Sequence, residues 1–134
     1  MTRVTRLTSI DELTAKWPRL VHLSRFQKVT QSELLMRFLA CMQDGAVFLV
    51  FGNHGLQGSA CCLAGLDYVQ IFSLPTDQGE KLAKSCLETI KQWARTEGYT
   101  KLIITSPRLN GSSFAYFEKE LGFRRNSVIY HMAL

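Results

Sequence analysis

The reading of this chain turns on Tyr68-Val69-Gln70-Ile71-Phe72-Ser73-Leu74-Pro75-Thr76-Asp77-Gln78-Gly79-Glu80-Lys81-Leu82-Ala83-Lys84. Tyr68–Leu74 is rich in β-branched, aromatic and aliphatic residues and reads as a strand, which Pro75 stops. Within a few residues the hydrophobic period changes. Leu82, Cys86, Leu87, Ile90, Trp93 and Ala94 fall on one helical stripe, and Lys84, Glu88, Lys91 and Arg95 fall on the solvated side. Gly98 is the expected C-terminal glycine. A tight turn running from a strand into a helix aims unpaired N–H groups and the positive end of the helix dipole at one point. A pyrophosphate fits there. Gly79 and Ala83 are small enough to let its oxygens approach the backbone, and Lys81 and Lys84 add cations.

Toward the N-terminus, Val4–Leu7 alternates weakly and suggests a short strand. Ser9-x-x-Glu12 and Thr30-x-x-Glu33 are two capping-box patterns, each announcing a helix, the first interrupted or restarted at Pro18. Leu35, Phe38, Leu39 and Met42 form the apolar stripe of the second helix, which ends at Asp44-Gly45. Ala46–Phe51 and Ser59–Leu66 read as a hairpin around Gly52-Asn53-His54-Gly55. Toward the C-terminus, Lys101–Thr105 reads as a strand and Ser106–Gly111 as a loop. Phe114, Phe117 and Leu121 mark a short helix ended by Gly122, and Val128, Tyr130 and Met132 a last strand. The order is β-α-α-β-β-β-α-β-α-β. An antiparallel meander followed by two βα crossovers predicts an α/β (α+β) domain over residues 1–134, its mixed, mostly antiparallel sheet covered by helices on both faces.

That order resembles the GNAT family, the Gcn5-related N-acetyltransferases. The segment from Leu74 to Lys84 is similar to the family's acyl-CoA motif, V-x-P followed by Q/R-x-x-G-x-G/A, with Pro75, Gln78, Gly79 and Ala83 at the matching spacing and Lys81 in place of the middle glycine. Asn110 through Phe123 is similar to the family's N-x-x-A-x-x-x-Y-E-K-x-G-F stretch and ends in Leu121-Gly122-Phe123. One extra residue in this helix puts Phe117 or Glu118 at the family's tyrosine position, and Tyr116 is the nearest phenol. The resemblance implies a GNAT-like acyltransferase using acetyl-CoA, with no metal. The donor would be held by Phe72, Ser73, Leu74, Gln78, Gly79, Lys81, Leu82, Ala83, Lys84 and Asn110. It further implies Tyr116 as the acid that protonates the leaving thiolate and Asp67 as the base that accepts the amine proton through water. The plain alternatives are a Tyr packed on a helix face and a turn aspartate.

Composition agrees with a globular protein. Of 134 residues, 46% are hydrophobic and 20% charged, which excludes a disordered tail. The longest strongly apolar run, Ala46–Phe51, is far short of the roughly 20 residues a membrane helix needs. Ser9, Asp11 and Glu12 stand where a signal peptide after Arg3 and Arg6 would be apolar, so a cytoplasmic protein with no membrane partner is expected. Cys41, Cys61, Cys62 and Cys86 show no metal-ligand spacing, and adjacent Cys61 and Cys62 must point to opposite faces of a strand. Reduced, buried thiols are expected. His22, His54 and His131 suit surface or turn roles.

The formal net charge of +5 divides into +4 over residues 1–28, −4 over 29–80 and +5 over 81–134. An acidic middle including Glu33, Asp44 and Asp67 suits a cationic amine acceptor, either a small molecule or a protein lysine. Two other readings remain in view: a non-catalytic GNAT-like binding module, and a small basic nucleic-acid binder. No aromatic-basic strand motif supports the second, so nucleic acid is not the expected partner. Oligomeric state is left open, a homodimer included.

Overall fold

The computed structural model describes residues 3–27, 29–75, 80–104, 119, 121–124 and 132–134. Its elements are β1 (Arg3–Leu7), α1 (Ile10–Leu20), α2 (Leu23–Gln27), α3 (Gln31–Asp44), β2 (Gly45–Gly52), β3 (Gly55–Ala64), β4 (Tyr68–Ile71), α4 (Glu80–Thr96) and β5 (Lys101–Ile104). The five strands form one sheet in the order β1-β2-β3-β4-β5. All neighbours are antiparallel except β4 and β5, which run parallel from Tyr68↔Lys101 to Ile71↔Ile104.

The period-2 alternation of the strands builds two cores. Ala46, Phe48, Val50, Ala60, Cys62, Val69 and Ile71 face α4, where they meet Leu82, Cys86, Leu87, Ile90 and Ala94. Leu7, Val47, Leu49 and Cys61 face the other way and meet Leu13, Leu20, Leu23, Leu34, Phe38 and Cys41. Helices therefore cover both faces, and Cys61 and Cys62 do divide between them. All four cysteines are free and buried. Burial pushes the Cys86 thiol up to about 12. It pushes Cys62 up further, helped by the Cys86 thiol facing it. Across the sheet, Cys61 is likewise raised by burial, while Cys41, hydrogen-bonded to Cys61, is lowered.

Both capping residues act as expected: the Ser9 hydroxyl accepts from the Glu12 N–H at 3.1 Å, and Thr30 and Glu33 close a reciprocal capping box. Gly98 (φ 89°) ends α4 with the Tyr99 N–H donating to the Ala94 carbonyl and the Gly98 N–H to the Arg95 carbonyl. Gly122 is also left-handed (φ 78°), with Leu121 buried beside α4.

Four details differ from expectation. Pro18 does not interrupt α1: the Val21 N–H reaches the Trp17 carbonyl at 2.9 Å. Packing of Leu13, Trp17 and Leu20 outweighs the one bond that proline removes. A third helix, the five-residue α2, precedes β2. The fully buried stripe of α3 is Leu34, Phe38 and Cys41, one residue back from the expected stripe, of which Leu35, Leu39 and Met42 are only half-buried. β3 starts at Gly55, because the hairpin turn is only Asn53-His54, and β4 ends at Ile71. The expected last helix and last strand fall outside the described residues, apart from Lys119, residues 121–124 and Met132.

Candidate active site

β4 leaves the sheet at the point where it turns toward α4. Its ladder with β5 ends at Ile71↔Ile104, but its pairing with β3 continues: the Phe72 N–H donates to the Cys61 carbonyl at 2.8 Å. The Ser73 hydroxyl donates to the Ser59 carbonyl at 3.4 Å. Side-chain alternation breaks here as well. Val69, Ile71 and Leu74 pack in the α4-side core while Phe72 packs in the other, so the period-2 pattern ends after Phe72.

Three residues outside the sequence reading hold this bend. Gly58 on β3 lies against buried Pro75, and a Cβ at 58 would stand 2.4 Å from the Pro75 Cβ. Buried Ser59 supplies the carbonyl for Ser73. Arg37 of α3 places its guanidinium 5.7 Å from the Phe72 ring centroid, so Phe72 faces the other core while Leu74 faces α4. A lone glycine within a strand pattern is the one sequence signal that could have flagged any of them.

On α4, Lys81 and Lys84 are exposed at the first turns, as a phosphate contact requires. Leu82 and Ala83 point the other way: Leu82 is 8% exposed and Ala83 wholly buried. Their side chains pack the helix on the sheet, leaving only backbone to meet a ligand. Gln78, Gly79, Asn110 and Tyr116 lie outside the described residues. Asp67 is exposed in the bend before β4. Four residues of strand, about 13 Å at 3.3 Å per residue, separate it from Ile71.

The acidic residues of the middle segment do not form one patch. Glu33 starts α3 at the same end of the sheet as Phe72–Pro75, and its carboxylate accepts from the Thr30 N–H at 3.2 Å. Asp44 and Asp67 stand at the opposite end, beside the start of β2 and of β4. A cavity of about 320 Å³ between α4 and β5, lined by Lys91, Arg95, Tyr99 and Lys101, also lies at that opposite end. Among the described residues no group of three His, Cys, Asp or Glu is placed to hold a metal ion, and no helix is long and apolar enough to cross a membrane.

The fold recurs in solved structures that align with nearly the whole chain. AAC(6′)-Iy in complex with the bisubstrate analogue CoA-S-monomethyl-acetylneamine superimposes with a TM-score of 0.69 at 17% identity, covering 100% of this chain and 99% of that one. A ribosomal-protein-alanine N-acetyltransferase from Brucella melitensis gives 0.69 at 15% identity, covering 100% and 99%. A Trypanosoma brucei acetyltransferase gives 0.65 at 21% identity, with both chains fully covered. The fold is that of the GNAT acetyltransferases. No family model and no curated protein sequence matches the chain, so the likeness is one of architecture. Within the GNAT fold, the parallel β4–β5 pair is a feature the sequence foretold.

Proposed function

We propose that this protein is an acyl-CoA-dependent N-acyltransferase, with residues 1–134 forming one domain that transfers acetyl from acetyl-CoA to a primary amine in a ternary complex. The observation that carries this reading is the bend at Phe72–Pro75. It lies just past the end of the β4–β5 ladder, with Phe72 still bonded to β3 and the exposed lysines of α4 a few residues further along the chain. An extended donor pairs with such an edge as an added strand would. The backbone of Phe72, Ser73 and Leu74 lies along the pantetheine arm, with Ser73 as its donor. Gln78, Gly79, Lys81, Lys84 and the backbone of Leu82 and Ala83 hold the pyrophosphate, and Asn110 contributes from the following crossover.

The amine nitrogen attacks the thioester carbon, and the carbon–sulfur bond breaks as the amide forms. The amine proton passes through ordered water to the Asp67 carboxylate, and Tyr116 donates a proton to the departing thiolate. No covalent enzyme intermediate forms, which agrees with four buried thiols. Proximity of amine and thioester supplies much of the acceleration. The acceptor is a small-molecule or protein amine, and the chain acts in the cytoplasm.

Calorimetry with acetyl-CoA and free CoA tests this reading. Saturable binding of both, with a raised melting temperature, supports it. Absence of binding discards it in favour of a non-catalytic module on the same fold.

A further inference from the structure

At the edge of the sheet where β1 begins and α1 ends, on the face away from α4, lies a second cavity of about 130 Å³. Its floor is apolar, including Leu20, Phe51 and Leu56, and its rim is Arg3, Lys16 and Arg19. Arg3 is the cross-strand partner of Phe51, and its guanidinium stands 5.2 Å from the centroid of that ring. Lys16 reaches the same ring from α1 with its ammonium 5.7 Å from the centroid. Arg19 follows one turn later on α1. None of the three pairs with a described carboxylate. Glu12, one turn before Lys16, accepts from the Thr8 hydroxyl instead. Three cations that no described carboxylate pairs, converging on an apolar floor, attract an anion more strongly than scattered surface charges do, because the cavity wall displaces water.

We propose that this pocket binds the oxyanion head, phosphate or carboxylate, of a small molecule whose apolar remainder rests on Phe51 and Leu56. The volume equals about four waters at roughly 30 Å³ each, room for one phosphate or a short carboxylic acid. Bidentate recognition comes from Arg3 or Arg19, and Lys16 acts as a point charge. The site is separate from the donor edge on β4 and does not depend on the acyltransferase reading.

The test is titration of methyl-labelled protein with inorganic phosphate and, separately, with butyrate, each at constant ionic strength set with sodium chloride. Saturable shifts of the Leu20 and Leu56 methyls are expected, with a millimolar dissociation constant. Phosphate alone saturating assigns a phosphate head; butyrate alone saturating assigns a carboxylate head, and either supports the proposal. Lys16→Met, which keeps the stem over Phe51, and Arg19→Gln should each weaken binding about tenfold, and Lys16→Arg should restore it. Shifts that grow linearly and equally with chloride overturn the proposal. So does saturation by a single-stranded oligonucleotide when neither small anion saturates, which assigns the patch to nucleic acid. Wild-type titration decides these outcomes even if a variant fails to fold.

Discussion

Gly58 and Pro75 touch across β3 and the end of β4 so closely that a single methyl group on Gly58 would fall 2.4 Å from the Pro75 Cβ. A methyl group there forces one of the two to shift. Gly58→Ala should displace Pro75 and, with it, the Phe72–Leu74 segment. The expected result is a destabilisation of about 1–3 kcal/mol by overpacking, together with a several-fold loss of acetyl-CoA affinity measured well below the melting temperature. Unchanged affinity in a destabilised variant would separate Gly58 from the donor edge.

Lys81 occupies the position where the GNAT motif has its middle glycine, and it is exposed on the first turn of α4. If its ammonium replaces the close backbone approach that a glycine allows, Lys81→Gly should restore that approach and cost little affinity. Lys81→Glu should lose about tenfold or more at low salt and less at high salt. Titrating both variants with acetyl-CoA at two salt concentrations checks this. A sharp gain on Lys81→Gly would instead mean that the side chain obstructs the loop. Ala83→Asp is no test of the same loop. Ala83 is wholly buried, so that change places a carboxylate in the core and should unfold the domain.

Asp67→Asn and Tyr116→Phe address the chemistry. Each should lower kcat by about a hundredfold with the dissociation constant for CoA unchanged. Activity that survives both substitutions would leave proton transfer to water alone.

Cys86 predicts the alkaline behaviour of the fold. Its thiol ionises at about 12 in the folded chain, against its ordinary value of 9.0. Between those values the unfolded chain binds fewer protons than the folded one, so stability falls as pH rises. The contribution is fully present below pH 9.0 and is lost as pH climbs through about 12. Melting temperatures from pH 7 to pH 11 should decline beyond 9.0. In Cys86→Ala, less stable overall from its lost sulfur, the slope in that range should ease by up to about 1.4 kcal/mol per pH unit.

Periodicity made the sheet legible in advance. Val69 and Ile71 alternate into one core, Leu82 through Ala94 follow the helical stripe that meets it, and a helix between β4 and β5 forced those strands parallel. What escaped the sequence reading was contact across chain distance. Nothing near Gly58 in sequence indicates that Pro75 will lie on it, or that Arg37 will cap Phe72 from another layer. Pro18 misled because local propensity was set against burial of Trp17 and Leu20, and burial won. Ala83 was grouped with the phosphate loop by spacing alone, whereas a helical residue can offer a ligand its backbone and the core its side chain.

Strand order follows chain order, and this bears on how the protein assembles and breathes. β2, β3 and β4 are joined by turns of a few residues, so their contacts close cheap, short loops. β5 must wait for all of α4, and then gains a parallel ladder of only four residue pairs. It is expected to dock late in folding and to open first in the native state, its amides exchanging with solvent before those of β2 and β3. That seam ends at Ile71↔Ile104, next to the edge proposed for the donor at Phe72–Leu74, so opening it widens the space beside that edge.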